Sequence, residues 1–367
     1  MSPSPQSARP KPGVDPSEAQ PEPATAQPVK VKLARLLKLA RGRRRGLILT
    51  HDNPDPDSMA AAVALAHLLD RRAGLSCKVG YGGIIGRAEN IAFVKVLKLP
   101  VSPVSQIVFD EHDLIALVDT QKAARNHSLP PQVPVDVVID HHPMRDDSLP
   151  APFSDVGDSG ATSTLLVEYL RAARIEPSSE VATALYYGIK ADTRDLGRQT
   201  TGTDVASYLW LFPRIDRGLL AQIEHPELPA RYFQLYHAAI ERAKVYGPAI
   251  ITDLGEVYSP DMVAEVAERL MYLEGTRWSL AYGSYRSQLY LSLRLKDRRT
   301  NAGRLTREIC EDLGGSAGGH GTMAGARIPL WGTRSQRTAL KRQTVRRFRD
   351  VLGSDPGRGV SLLSADE

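Results

Sequence analysis

The hydrophobic positions of the chain change period near Gly46. Before it, Leu33, Leu36, Leu37 and Leu39 recur among lysines and arginines between Val31 and Ala40, which predicts an amphipathic helix. After it, short apolar runs alternate with helical stretches, the pattern of a parallel α/β sheet. Strands are predicted at Leu47 to Thr50, Ser76 to Tyr81, Leu114 to Val118 and Val135 to Ile139, with helices at Ser58 to Ala73 and around Ala88 to Leu97. Further helices are expected from Gly160 to Arg171, from Ser179 to Lys190, through Tyr208, and from Arg231 to Lys244. Tyr246-Gly-Pro248 reads as a boundary. Beyond it the pattern predicts a helix from Pro260 to Leu273, a hairpin from Trp278 to Leu295, a helix from Gly303 to Leu313, and a glycine-rich loop from Gly314 to Gly325.

This pattern divides the chain into a proline-rich disordered tail (1–28), an α/β domain (29–200), a helical linker (201–246), a smaller α/β domain (247–333) and a basic C-terminal helix and tail (334–367). In that last helix, Leu340, Val345, Phe348 and Val351 are interleaved with the cations, so it is expected to pack on the second domain.

Composition narrows the function classes. With 367 residues, 42% hydrophobic and 24% charged, the chain is an ordinary globular protein of about two domains. A net charge of +5 spread over this length selects no partner. Cys77 and Cys310 stand far apart in unlike contexts, which argues against a disulfide framework or a thiolate metal site. No apolar run approaches the roughly 20 residues that span a bilayer. The N-terminus lacks an apolar segment and carries Asp15, Glu18 and Glu22, so a cytoplasmic location is expected.

The chemistry lies where strands end. Leu47 to Thr50 runs into His51, Asp55 and Asp57; Ile115 to Val118 runs into Asp119; Val137 to Ile139 runs into Asp140-His141-His142. In open α/β sheets such carboxyl ends meet in one crevice. Pro54 and Pro56 are expected to hold the first loop extended, so that Asp55 and Asp57 project together, with Ser58 capping a helix from Met59 to Asp70. Asp192 sits at a helix C-terminus, where a carboxylate is unfavourable without a cation. Together His51, Asp55, Asp57, Asp119, His141 and Asp192 crowd too many carboxylates to stand uncompensated, and bound metal resolves this. Carboxylates with imidazoles and no thiolate suit Mn²⁺ better than Mg²⁺. Two such ions sharing Asp119 would activate a water against a phosphoryl group. In the glycine-rich stretch, backbone N–H groups and His320 can approach a phosphate, and Arg294, Arg298 and Arg299 can reach the same anion.

These residues resemble the DHH phosphoesterases, a family named for the tripeptide found here at Asp140-His141-His142; the likeness runs from about Gly46 to Leu330. His51-x-x-Pro54-Asp55-x-Asp57, Asp119, Asp140-His141-His142 and Ala191-Asp192-Thr193 are similar to the family's four ordered motifs, and Gly318-Gly319-His320 to the loop of its DHH-associated C-terminal domain. The resemblance implies a parallel-sheet DHH domain, a smaller C-terminal α/β domain and an active site in the cleft between them. One Mn²⁺ would be held by His51, Asp55 and Asp119, the other by Asp57, Asp119, His141 and Asp192; Mg²⁺ and Co²⁺ are the other candidate ions. Asp140 would orient the site, His142 would face the scissile phosphate, and Arg294, Gly318, Gly319 and His320 would grip the substrate's terminal phosphate. Where the family commonly has a further glycine, this chain has Ala317, and the added methyl is expected to alter that grip. The substrates implied are short RNA or DNA, 3′-phosphoadenosine 5′-phosphate, or linear and cyclic dinucleotides. A homodimer is a common form in the family. Inorganic pyrophosphate or polyphosphate is the alternative substrate. A non-catalytic nucleotide or RNA binder, suggested by the basic cluster Arg41 to Arg45 and the basic C-terminal helix, is the alternative class.

Overall fold

A computed structural model describes residues 27–144, 151–297, 299–351 and 358–364, the side chain of His320 excepted. The tail expected over 1–28 falls almost entirely outside these residues, and Arg298 lies outside them too. The first half holds β1 (Arg45–Leu49), β2 (Ser76–Tyr81), β3 (Val101–Pro103), β4 (Leu114–Val118), β5 (Val137–Asp140) and β6 (Phe153–Val156). Its helices are α1 (Val29–Ala40), α2 (Pro56–Ala73), α3 (Ala88–Val96), α4 (Thr162–Ala172) and α5 (Ser179–Thr193), followed by α6 (Gly202–Leu211), α7 (Arg217–Glu224) and α8 (Ala230–Arg242). All six strands pair in parallel in the order β3-β2-β1-β4-β5-β6. The order reverses between β1 and β4, and at that switch point the crossovers leave in opposite directions and open a crevice at the strands' carboxyl ends.

Strand β4 is buried along its whole length, as strands covered on both faces must be. Ile48, Ala116, Val118 and Ile139 face a core shared with α1, α2, α4 and α5, whereas Leu47, Leu49, Leu117 and Val138 face a smaller cluster with Ile107 and Leu129. The alanines of α2 let α5 lie close against it. Gly188 of α5 lies against α2, and a Cβ there would stand 3.2 Å from the Cα of Asp57.

The second half holds β7 (Lys244–Tyr246), β8 (Ala249–Glu256), α9 (Asp261–Leu270), β9 (Trp278–Tyr285), β10 (Gln288–Leu295), α10 (Ala302–Cys310), β11 (Ser316–His320), β12 (Met323–Pro329), α11 (Arg334–Val351) and β13 (Val360–Ser361). Its strands form a separate mixed sheet ordered β11-β12-β10-β9-β8-β7-β13, parallel only between β8 and β9. The chain is thus α/β throughout, with a parallel sheet followed by a mixed one.

Three expectations need correction. Ser58 is not the cap of α2: the Asp55 side chain accepts from the Ser58 backbone N–H at 2.9 Å, and Pro56 takes the first helical position, where its missing N–H costs nothing. The proline-bracketed segment is therefore a helix start, and Asp57 lies inside the first turn. The stretch from Gly314 to Gly325 is largely a hairpin, β11 with β12, rather than a loop. Gly319 there has φ +148°, and a side chain would run into the backbone of Met323 and Ala324. Ala317 lies in β11 without positive φ and packs against the second core, so its methyl imposes no backbone restriction of the kind expected.

Candidate metal centre and cleft

The crevice gathers seven of the residues named from the sequence. His51 follows β1, Asp57 occupies the first turn of α2, Asp119 follows β4, His141 follows β5, and Asp192 is in the last turn of α5. Donor atoms within 4.8 Å of one another form three groups: His51, Asp55 and Asp119; Asp57, His141 and Asp192; and Asp119, His141 and His142. Asp119 is common to two of them. It has φ +59°, a left-handed conformation that costs a non-glycine residue energy and is held by its surroundings. Its N–H donates to the Ile139 carbonyl at 2.9 Å, and its Oδ1 accepts from the Thr162 hydroxyl at 2.7 Å.

The imidazoles are oriented from behind. His51 Nδ1 lies 3.0 Å from the Asp52 carbonyl and His141 Nδ1 lies 3.1 Å from the Ser159 carbonyl. A carbonyl only accepts, so each Nδ1 carries hydrogen and each Nε2 is turned to the cluster. His51 Nε2 is 3.5 Å from Asp119 and 3.7 Å from Asp55; His141 Nε2 is 3.3 Å from Asp192 and 3.6 Å from Asp119. These separations exceed the roughly 2.7–2.9 Å of a charge-assisted hydrogen bond. They suit donors spread around a shared cation with bonds of about 2.1 Å or slightly more. The donor set of imidazole and carboxylate therefore fits a divalent metal.

Asp57 is gripped by a helix terminus. Its two carboxylate oxygens accept from the backbone N–H groups of Thr162 and Ser163 at 2.7 and 2.8 Å, where α4 begins with unpaired donors and a positive dipole end. The turn entering α4 is itself tied down by buried Asp204, which accepts from Gly160 N at 2.8 Å and Thr164 Oγ1 at 2.5 Å while capping α6.

Crowding shows in the titration of the cluster. Burial, then the charges of Asp119 and Asp192, holds Asp57 well above the usual carboxylate range. Burial, then the charge of Asp55, raises Asp192 to about 6. Burial works to lower the His51 pKa, but its bonds to Asp119 and Asp55 prevail and raise it well above the ordinary value. His141 is likewise raised, with Asp119 and then Asp57 overcoming burial.

Asp140 ends β5 fully buried and belongs to none of the three donor groups. Its Oδ1 meets His142 Nδ1 at 2.9 Å and accepts the His142 N–H at 3.1 Å, while its Oδ2 accepts from Gln121 Nε2 at 2.9 Å. His142 is half exposed, its pKa raised to about 9 chiefly by this bond to Asp140.

Facing the cluster is the second domain. A cleft of about 680 Å³ is lined by His51, Asp55, Asp57 and Asp192 on one wall and by Arg294, Gly318 and Gly319 on the other. Arg294 does not project freely: Nε and Nη2 donate to Glu268 at 3.3 and 3.1 Å, and Nη1 donates to Ser292 Oγ at 2.7 Å. Arg87, from the first domain, donates to the same Glu268 at 3.0 Å. Sequence reasoning misses Arg87, Glu268, Gln121 and Thr162; the acid-ending strands mark the cluster, but no local signal marks these supports. Among the described residues no helix is long and apolar enough to cross a membrane.

Comparison with known proteins agrees with this architecture. Residues 45–189 match the DHH family N-terminal domain and residues 247–348 match the DHHA1 domain. An uncharacterized protein of Methanocaldococcus jannaschii is 37% identical over 287 residues, which cover 77% of this chain and 58% of the relative, so the chain spans less than two thirds of that relative's length. Among solved structures, an exopolyphosphatase-related protein from Bacteroides fragilis aligns with TM-score 0.69 at 16% identity, covering 89% of this chain and 98% of that one. RecJ from Thermus thermophilus in complex with Mn²⁺ aligns with TM-score 0.52 at 18% identity, covering 92% of this chain and 56% of that one. At such identities the structural likeness is one of fold. With both domains matched in order, the chain belongs to the DHH family, a DHH domain followed by a DHHA1 domain on the fold of metal-dependent phosphoesterases.

Proposed function

We propose that the chain is a metal-dependent phosphoesterase that hydrolyses short oligonucleotides or small nucleotides, such as 3′-phosphoadenosine 5′-phosphate or dinucleotides. One observation carries this reading: two carboxylate-imidazole groups, His51/Asp55/Asp119 and Asp57/His141/Asp192, stand at a cleft whose other wall carries an arginine and a glycine hairpin. In this reading His51, Asp55 and Asp119 hold one ion, and Asp57, Asp119, His141 and Asp192 hold the other, with Mn²⁺ the best match to the donors. Once bound, such ions supply an activated water and neutralise charge on the phosphoryl group. The chain's own residues do the rest. Arg294 and the backbone of Gly318 and Gly319, with His320, bind the substrate's terminal phosphate and place the scissile bond over the cluster. Asp140 orients His142, which donates a proton or hydrogen bond toward the departing oxygen. A cleft of about 680 Å³ is sized for a mononucleotide or dinucleotide, within the roughly 300–1,000 Å³ of small-ligand sites.

A second reading has one supporting observation, the fold likeness to an exopolyphosphatase-related protein: the same cluster would then cleave pyrophosphate or polyphosphate. The test is the purified chain with Mn²⁺ against labelled RNA from dinucleotides to long strands, 3′-phosphoadenosine 5′-phosphate, cyclic dinucleotides, pyrophosphate and polyphosphate. Fastest turnover of the shortest nucleotides is expected. Phosphate release from pyrophosphate or polyphosphate alone would favour the second reading. Tight nucleotide binding with no turnover in Mn²⁺, Mg²⁺ or Co²⁺ would make the chain a binding protein.

A further inference from the structure

We propose that the groove between α11 and the second sheet binds a single strand of nucleic acid, at a site separate from the catalytic cleft. One side of α11 is committed to packing: Leu340, Val345, Phe348 and Val351 join the second core, and Phe348 meets Trp278 edge-on at 6.4 Å. Its other side, with the ends of β8 and β9, walls a groove of about 840 Å³ lined by Arg286, Arg334, Arg337, Lys341, Arg342 and Arg346. Two carboxylates also line it, Asp253 and Glu256. Asp253 is taken by Lys341 at 3.1 Å, and Arg346 has only its exposed neighbour Asp350 at 3.9 Å, a pairing of little strength. Arg334, Arg337 and Arg342 have no acidic partner among the described residues.

The groove and the cleft lie on opposite faces of one sheet. Leu293 pairs directly with Leu280 on the face of the second core, the face that Tyr282 shares with Leu280, whereas Ser292 and Arg294 alternate to the other face and line the cleft. From Arg334 to Arg346 the cations follow helical spacing along about 18 Å of axis, a row rather than a point. A row of guanidinium groups suits a chain of phosphates. Aromatic surface stands at the groove: Tyr282, with Lys341 Nζ 5.8 Å over its ring, and Tyr285 line it, and Trp331, 74% exposed, directly follows groove residue Leu330. Arginines tracking a backbone beside aromatic faces are how single strands are held without regard to sequence.

This site does not depend on hydrolysis, and its test is made without metal. Fluorescence anisotropy of the full chain in EDTA would follow a labelled single-stranded RNA at several salt concentrations. The triple variant R334E/R337E/R342E is expected to bind at least 30-fold more weakly, with the slope of log affinity against log salt reduced by about two, since each phosphate contact on a single strand contributes about 0.7. W331A is expected to lose about tenfold. An unlabelled dinucleotide, short enough to fill the cleft alone, is expected not to displace the strand. The corresponding arginine-to-glutamine triple variant, checked by thermal unfolding, serves if the glutamate variant does not fold. Wild-type affinity in the folded triple variant, displacement of the strand by the dinucleotide, or polyphosphate competing as tightly as RNA would each overturn the assignment.

Discussion

Glu268 holds Arg294 through both Nε and Nη2, so the arginine that faces the cluster already has a carboxylate partner. Arg87 from the other domain shares that carboxylate, so two arginines of the cleft rest on one glutamate. An anionic substrate competes with Glu268 for these arginines. Glu268→Gln is therefore expected to lower KM several-fold with kcat within about threefold, the gain fading as salt screens it. Arg294→Ala is expected to raise KM at least tenfold, the loss of about one charged hydrogen bond. Steady-state kinetics on a 5′-phosphorylated dinucleotide checks both; a higher KM in Glu268→Gln would show that Glu268 holds Arg294 in position rather than competing for it.

Thr162 touches no ion in the proposed scheme, yet its hydroxyl fixes Asp119. Removing the hydroxyl at constant shape, as in Thr162→Val, is expected to weaken metal binding and turnover 10–100-fold, the usual scale for a group that orients a ligand. Stability should fall by only about 1 kcal/mol. Metal titration by calorimetry beside a thermal melt separates the two effects.

The raised pKa of Asp192 fixes the sign of a pH effect. Folding raises this group from its ordinary value to about 6, so its contribution to stability is complete below the unfolded value and is lost as pH rises through about 6. In EDTA, wild type should therefore lose stability relative to Asp192→Asn over that rise, and saturating Mn²⁺ should cancel the loss. The same proton must leave when an ion binds, so metal affinity should climb with pH. Calorimetry in two buffers of different ionisation enthalpy counts the protons released. A difference between wild type and variant that is flat with pH would reject the argument.

Gly188 supports a fourth prediction. A methyl there presses on the Asp57 backbone and the Ser163 side chain together. Gly188→Ala, usually benign in a helix, is expected here to destabilise by about 1–3 kcal/mol and to weaken metal binding. Equal or greater stability by denaturant titration would show that α2 and α5 have room to separate.

Much of this is legible in the chain. Strand runs ending in Asp119 and Asp140 announce themselves, because a buried parallel strand is a continuous apolar word and the acid after it breaks the word. Asp192 is legible as a carboxylate at the wrong end of a helix. What is not legible depends on distance. Arg87 and Glu268 are 181 residues apart, and either alone is an ordinary helix charge. Thr162 looks like any hydroxyl near a helix start. Ser58 reads as the cap because Ser and Asp both cap well, and only the placement of Pro56 at the first helical position decides between them. The hairpin strand Ser316–His320 is hidden by its glycines, which lower strand propensity without forbidding a short edge strand.

Every side chain proposed to face an ion lies between His51 and Asp192, while Arg294, Gly318 and Gly319 come from a sheet with its own core. Reaction and choice of substrate are thus written in separate stretches of sequence. Changes along β10 to β12 can retune which phosphate ester is accepted while leaving the hydrolytic apparatus untouched, and a shift in the relative placement of the two sheets would alter reach before it altered chemistry.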